Sequence, residues 1–147
     1  MLRNWRRGAR EVRVLDTSHA SEVLKVLRRE PLTSMLAVPY VGRMGGGSVF
    51  LGADAPGGGF SAVVWSGSNV VPAGDLAAMD LFIPALSRRG RRCTSMVGRA
   101  DLVMHLWDQL EMRWGPARDI RDDQPCLVTR SAPLVEGDPR VRRATPA

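Results

Sequence analysis

The spacing of hydrophobic and polar residues along the chain predicts short strands and helices joined by turns. Val12 and Val14 alternate with charged neighbours, which predicts a strand over residues 11–15. Asp16 follows and can cap a helix, because its side-chain oxygens can accept hydrogen bonds from the first helical amides. The apolar residues of that helix fall on one face: Ala20, Val23, Leu24 and Leu27. The first unit is therefore a strand that leads into an amphipathic helix.

Proline and glycine divide the next stretch of the chain. Pro31 ends the first helix and suits the first turn of a second short helix, which Pro39 should make irregular. Two apolar runs, residues 48–53 and 60–66, flank a loop over residues 54–59 that contains three glycines. A loop of this composition between two apolar runs favours an antiparallel hairpin.

A third strand and another helix are predicted after the hairpin. Residues 69–71 can continue the antiparallel sheet, and residues 72–74 should end the strand, because they contain a proline and a glycine. Asp75 can cap a helix that Gly90 would end. Pro84 falls inside this helix, where it would cost about 3 kcal/mol unless the helix kinks.

The last third of the chain contains a strand, a helix and a further pair of short apolar runs. Residues 92–97 predict a strand, and a helix should then run as far as Pro116. The apolar positions of this helix repeat at helical spacing: Val103, Leu106, Trp107, Leu110 and Trp114. Residues 117–120 and 126–129 predict a last strand pair, and the prolines and glycine after residue 131 are typical of a linker.

The predicted element order is β-α-α-β-β-β-α-β-α-β, which indicates an α/β fold. Strands that follow one another directly should pair antiparallel, whereas strands separated by a helix should pair parallel. The fold class is thus a mixed sheet flanked by helices. We expect a basic N-terminal tail over residues 1–10, one domain over residues 11–130, and a linker over residues 131–147.

Composition is that of one globular domain, with 147 residues of which 44% are hydrophobic. Because there is neither a run of roughly 18 apolar residues nor a secretory signal, we expect a cytoplasmic location and no membrane partner. Arginine supplies almost all of the positive charge behind the net +6, since Lys25 is the only lysine. Such a bias is typical of GC-rich genomes, in which codon usage replaces lysine by arginine without selection for phosphate contacts. The charge therefore argues against nucleic acid as a partner. Cys93 and Cys126 lack metal-site spacing and are predicted to be buried free thiols, with a disulfide between them as the less favoured alternative in a cytosolic protein.

Several short motifs carry a resemblance to a known group of proteins. They are VRVLD at residues 12–16, GSNVVP at 67–72, RRCTSMVG at 91–98, LWDQL at 106–110, WGPAR at 114–118, DQP at 123–125 and DPRVRR at 138–143. In this order they resemble an uncharacterised domain that precedes the catalytic domain of actinobacterial GNAT family N-acetyltransferases. The similarity runs from about Val12 to the end of the chain.

The resemblance implies a GNAT-like fold and a division of labour within a longer protein. In such proteins the catalytic GNAT domain begins just after the segment similar to VRRA at residues 141–144, so this chain would end where that domain starts. The parent would transfer an acetyl group from acetyl-CoA to an amine. The partner of this domain would then be the C-terminal catalytic domain of the same polypeptide.

A working GNAT domain holds the pyrophosphate of CoA with successive backbone amides from a Gln/Arg-x-x-Gly-x-Gly/Ala loop that opens a helix. The corresponding junction here, residues 69–76, has no glycine pair, and it contains Pro72 and Asp75. A proline cannot donate an amide hydrogen bond, and an aspartate would repel an anion. We therefore predict that this chain has no acetyl-CoA site of that kind.

One weak alternative for a CoA site remains in the sequence. Arg43, Gly45, Gly46 and Gly47 have the arginine and the first glycine at the right spacing, but Ser48 follows and the segment leads into a strand. A flexible loop is the favoured interpretation of this stretch, and a degenerate GNAT domain that still holds CoA is the alternative.

No catalytic or metal-binding group can be named from the sequence. His19 and His105 have no acid or nucleophile at diagnostic spacing. The glutamates on predicted helices, Glu22, Glu30 and Glu111, are expected to be solvated, and Trp65, Trp107 and Trp114 are expected to pack in the core.

The basic patch, defined as Arg88, Arg89, Arg91 and Arg92, is the remaining candidate for a binding surface. A solvated turn is the simplest interpretation. There are three functional alternatives, ranked from most to least favoured: contact with the catalytic domain, with an acidic substrate, and with nucleic acid. The leading hypothesis is an auxiliary domain that shapes the acceptor cleft or senses a ligand, and the second is an anionic-ligand or nucleic-acid binding module.

Overall fold

The computed structural model describes residues 12–145. Its strands are β1 (Val12–Leu15), β2 (Val49–Asp54), β3 (Phe60–Ser66), β4 (Asn69–Gly74) and β5 (Ser95–Met96). Its α-helices are α1 (Ala20–Leu27), α2 (Pro31–Ser34), α3 (Ile83–Arg89) and α4 (Ala100–Trp114). Short 3₁₀ helices lie at Thr17–His19, Val38–Arg43 and Leu76–Phe82. The basic tail predicted over residues 1–10 lies outside the described residues.

The five strands form one mixed sheet in the order β1-β2-β3-β4-β5. Consecutive strands from β1 to β4 pair antiparallel, whereas β4 and β5 pair parallel. The parallel pair is the one whose strands are separated by a helix, as the element order predicts. The chain thus has an α/β fold with a mixed sheet, which confirms the fold class at that level.

Helices cover both faces of the sheet, so alternate residues of the central strands belong to different core layers. On β3, Ala62 and Val64 face one layer, whereas Val63 and Trp65 face the other. The first layer also contains buried side chains of α3, α4 and the 3₁₀ helix before α3: Ala78, Met79, Phe82, Leu86, Leu102, Leu106, Trp107, Leu110 and Trp114. The second contains Val23, Val26 and Leu27 of α1. Every residue of β3 is buried for this reason.

The first helix begins as the sequence predicts. Asp16 accepts a hydrogen bond from the amide of Ser18 at 2.9 Å and caps the 3₁₀ turn that leads into α1. The expected second helix is irregular: it is split into α2 and the 3₁₀ helix that contains Pro39. Trp65, Trp107 and Trp114 are buried, as predicted for core residues.

Two proline positions differ from the sequence-based prediction. Pro72 does not end a strand, because β4 continues through it to Gly74. Pro84 does not interrupt a helix, because the predicted single helix is divided into a 3₁₀ segment and α3, and Pro84 lies in the first turn of α3. A proline in the first turn loses no hydrogen bond, since that amide has no intrahelical acceptor.

The predicted strand pair at residues 117–120 and 126–129 is wrong. Within the described chain, residues 117–145 contain no helix or strand, and the segment from Arg118 onward is exposed. Cys126 is therefore exposed rather than buried, and Cys93 is half-buried; both thiols are free. The strand predicted over residues 92–97 is also reduced to Ser95–Met96.

Among the helices of residues 12–145, none combines the length and the apolar character that crossing a bilayer requires.

Candidate functional site

The junction after β4 is where an acyl-CoA transferase of the expected kind would hold a pyrophosphate, and here its backbone is already engaged. The amide of Asp75 donates to the carbonyl of Ser61 on β3 at 3.1 Å, and the carbonyl of Asp75 accepts from Ala78 at 3.0 Å. A 3₁₀ helix follows instead of an α-helix, and the exposed carboxylate of Asp75 stands at its start. An anion at this junction would meet the negative charge of Asp75 and an amide that is already hydrogen-bonded, so the junction does not favour anion binding.

Gly74 fixes the path of the chain at this junction. It is buried with a φ of +103°, and a Cβ at this position would lie 2.4 Å from the Ser61 carbonyl oxygen. Only glycine fits that combination of backbone angle and close approach. Gly74 thus serves the packing of β4 against β3, not the approach of a ligand.

The backbone of the segment that follows β5 lies beside the end of β4. The pairing of β4 with β5 ends at Val70 and Met96, after which the amide of Val97 donates to the carbonyl of Val70 at 2.9 Å. The chain then passes close to Pro72, because a Cβ added to Gly98 would lie 3.3 Å from the Pro72 carbonyl oxygen. The segment after β5 therefore stays in contact with β4 as far as Pro72.

Acidic groups surround the N-terminus of α4. Asp101 accepts a hydrogen bond from the amide of Leu102 at 2.9 Å and holds Arg99 through two hydrogen bonds, from Nε at 2.6 Å and from Nη2 at 2.8 Å. Hydrogen bonds from Arg99 lower the pKa of the Asp101 carboxyl below its ordinary value of 3.8. The Asp101 carboxylate engages the Leu102 amide and places a negative charge in the first turn of α4, so this helix end does not favour a phosphate.

Arg99 also joins this helix end to the other face of the sheet. Its Nη1 donates to Glu30 Oε1 at 2.5 Å, and the Glu30 side chain is 16% exposed. The expectation that Glu30 is solvated is therefore wrong, whereas Glu111 is exposed as expected. Sequence reasoning missed this pair, because 69 residues separate its members and neither stands in a motif.

The alternative CoA site at Arg43, Gly45, Gly46 and Gly47 is a tight turn. Backbone hydrogen bonds run in both directions between Gly45 and Ser48, at 2.9 Å and 3.1 Å. Gly45 and Gly46 have positive φ values of +128° and +59°, and all three glycines are exposed. The turn connects a 3₁₀ helix to β2 and precedes no helix, so it has no helix dipole to attract phosphate.

Two of the four arginines of the basic patch donate hydrogen bonds to backbone carbonyls at helix ends, and two do not. Arg91 donates from Nη1 to the carbonyls of Trp114 and Pro116 at 3.3 Å and 3.2 Å, which places it at the C-terminal end of α4. Arg92 donates from Nε to the carbonyl of Arg89 at 3.3 Å, at the end of α3. Cations at these positions satisfy carbonyls that the helices leave unpaired. Arg88 and Arg89 are the members of the patch left for a partner.

Both histidines form pairs with aspartates, which their spacing in sequence did not indicate. His105 Nε2 lies 2.7 Å from Asp80 Oδ1 at the surface. His19 Nδ1 lies 3.0 Å from Asp16 Oδ1 and 3.4 Å from Ser18 Oγ.

The trio of Asp16, Ser18 and His19 is a helix cap and not a catalytic triad. In a triad the acid and the nucleophile bind opposite nitrogens of the imidazole. Here both approach Nδ1, and the amides of Asp16 and Ser18 take part in the same cap. Over residues 12–145, no cluster of three or more His, Cys, Asp or Glu side chains is arranged to hold a metal ion.

Comparison with known proteins gives a family and no further relative. No curated protein and no solved structure matches the chain. The family model described as domain of unknown function DUF4081 matches residues 48–147, which include β2 to α4 and the C-terminal segment. Since that match covers more than half of the sequence, the chain belongs to the DUF4081 family.

Proposed function

We propose that this DUF4081 domain is a non-catalytic, GNAT-like domain that acts beside the catalytic domain of an N-acetyltransferase. The motifs from VRVLD to DPRVRR support the link to such enzymes. The five-stranded mixed sheet, with its parallel pairing of β4 and β5, is compatible with a GNAT-like fold. The catalytic domain of the same polypeptide would bind acetyl-CoA and carry out transfer to an amine in the cytoplasm.

The observation that carries the proposal is the closed junction after β4. A pyrophosphate needs several unbonded amides that point outward at the start of a helix. At this junction Pro72 has no amide hydrogen, the Asp75 amide is bonded to Ser61, and the Asp75 carboxylate is exposed. A domain with this junction would pack against the catalytic domain of the longer protein, and the catalytic domain alone would bind the cofactor.

The role of the domain is to shape the amine-acceptor cleft of the catalytic domain or to sense a ligand there. Exposed residues rather than a buried site would make that contact, because the junction after β4 is closed by the protein's own hydrogen bonds.

The proposal is tested by titrating the chain with CoA and acetyl-CoA in a calorimeter. A ¹⁵N-resolved NMR titration of the same samples identifies the residues involved, and a catalytic GNAT domain serves as the positive control. We expect no binding heat, no chemical-shift change at residues 69–76, and no acetylation of a panel of amines.

Two results would contradict the proposal in different ways. Shifts at residues 69–76 would show that the closed junction opens to hold CoA. Shifts confined to Arg43, Gly45, Gly46 and Gly47 would support a degenerate GNAT domain that retains the cofactor in the turn. The coding sequence gives an independent check: downstream of codon 147 it should encode an intact Gln/Arg-x-x-Gly-x-Gly/Ala loop, and its absence would remove the catalytic partner.

A further inference from the structure

A shallow, open groove lies between the edge strand β1 and the helix α3. It has a volume of about 240 Å³ and is lined by Val14, Leu51, Ala85, Arg88 and Arg89. Leu51 is buried and forms the floor, whereas Val14 is 66% exposed although it is aliphatic. The groove thus joins an apolar wall to two cations.

The two arginines of the groove have no anionic partner within the described residues. The salt bridges of residues 12–145 involve neither Arg88 nor Arg89. The Nε atom of Arg89 is buried and has no hydrogen-bond acceptor. An acidic group that enters the groove would supply Arg88 and Arg89 with the anionic partner that the other described residues do not provide.

The wall of the groove is also an open edge of the sheet. β1 pairs with β2 on one side, and in the described chain its other side has no strand neighbour. An edge of this kind can accept an additional strand through main-chain hydrogen bonds.

The C-terminal segment contains a stretch whose chemistry matches the groove. Leu134 and Val135 are 104% and 78% exposed, and they are followed by Glu136, which forms no salt bridge within the described chain. In an extended conformation, residues two apart face the same side, so Leu134 and Glu136 would point together. Pro133 and Pro139 bound the stretch, which limits a strand there to about the length of β1.

We propose that residues 134–137 of a second copy of this chain add to β1 as an extra strand. Leu134 of that copy packs on Val14 and Leu51, and Glu136 binds Arg88 and Arg89. Its own chain leaves the stretch fully exposed, so the stretch is available to another copy. This inference does not depend on the acetyltransferase link.

The exchange is reciprocal, because each copy has both a groove and a C-terminal stretch. Two identical contacts related by a twofold axis close the assembly at a dimer. Each contact involves few residues, so association is weak and depends on protein concentration. The contribution of the charged pair makes it weaker at high salt.

Sedimentation velocity of the 147-residue chain, over a wide concentration range, tests the proposal. We expect a reversible monomer–dimer equilibrium. The double variant Arg88→Glu/Arg89→Glu should weaken the dimer at least tenfold, and so should Glu136→Arg. The combination of all three substitutions should restore association, because the opposite charges meet again.

Arg28→Glu/Arg29→Glu is the matched control, since it makes the same charge change at two adjacent exposed arginines outside the groove and should leave the dimer intact. Leu134→Ser tests the apolar contact without any charge change, and it should also weaken association. Far-UV circular dichroism confirms that each variant is folded. A chain that stays monomeric, a dimer indifferent to Arg88 and Arg89, or a failure of the triple variant to restore association would each overturn the proposal.

Discussion

At the scale of single residues, the path of the chain after β4 depends on the absence of a Cβ atom at Gly74. Gly74 brings the end of β4 so close to β3 that a Cβ would lie 2.4 Å from the Ser61 carbonyl oxygen and 2.7 Å from the Ala62 Cα. The hydrogen bond from the Asp75 amide to the Ser61 carbonyl depends on this approach. Gly74 is therefore a determinant of both stability and the closed junction.

Gly74→Ala should destabilise the domain by roughly 2–4 kcal/mol, since it adds a backbone clash to a positive φ. Gly58→Ala is the matched control: Gly58 has a φ of +93°, but a Cβ there would meet no atom within 4 Å. It should cost about 1 kcal/mol. Urea denaturation measures both values, and equal losses for the two variants would contradict the importance of the close approach to β3.

The residues that sequence reasoning missed are those whose partners are distant in the chain. Arg99 and Glu30 are 69 positions apart, and they meet because the turn after α1 lies next to the N-terminus of α4. By contrast, Asp16 could be predicted as a cap from its place before an amphipathic helix. Local chemistry is visible in a sequence, whereas a pair that depends on tertiary packing is not.

At the scale of elements, the helical region between β4 and β5 shows how a proline can mark a boundary. Pro84 stands where a 3₁₀ segment gives way to α3, and it is exposed in the first turn. Its ring has a φ suited to a helix start, and the amide it lacks has no acceptor there. The proline selects the start of α3 and does not strain it.

Pro84→Ala should therefore change the free energy of unfolding by no more than about 1 kcal/mol. Ser87→Pro places the same ring in the interior of α3, where it removes a hydrogen bond, and should cost about 3 kcal/mol or more. Thermal and urea denaturation compare the two variants. A large loss for Pro84→Ala would show that the proline has a packing role instead.

The failed strand pair at residues 117–120 and 126–129 has a physical reason at the same scale. A strand needs a neighbour, and the outermost strand β5 has only two paired residues. The short runs are also separated by charged residues and Pro125, so they cannot form a hairpin that is stable without the sheet. The prediction was based on the apolar content of the two runs, but the short strand β5 gives them no sheet edge with which to pair.

At the scale of the whole molecule, the folded core ends near the start of the C-terminal segment. Ala117 still packs against the α3 and α4 layer, and Arg91 binds the Pro116 carbonyl. From Arg118 to residue 145 every residue is exposed. These residues bury no apolar surface in the monomer, so they add little to its stability.

A chain that ends after Arg118 should keep its melting temperature within about 2 °C of the full chain, because its buried residues are unchanged. Differential scanning calorimetry at low protein concentration measures this without interference from association. A decrease of more than about 5 °C would show that the C-terminal segment packs on the core.

The global arrangement was predictable from the sequence to the extent that it depends on periodic patterns. The antiparallel hairpin of β2 and β3 followed from two apolar runs around three glycines, and α4 followed from five apolar residues at helical spacing. The hydrophobic pattern does not predict that the backbone after β4 is hydrogen-bonded to β3, because that depends on which amides find acceptors in the folded structure. It also does not give the groove beside β1, which arises only when α3 is placed over the sheet.

The placement of the tryptophans gives each side of the sheet its own fluorophore. Trp65 stacks on Tyr40 with ring centroids 4.2 Å apart and donates to Ser48 Oγ at 2.8 Å in the α1 layer. Trp107 and Trp114 lie in the opposite layer, among the residues of α3 and α4. With Trp5 and Trp65 replaced by phenylalanine, emission would report on the layer of α3 and α4, and with Trp5, Trp107 and Trp114 replaced it would report on the layer of α1. Comparing the two variants would show whether the two halves of the core melt together.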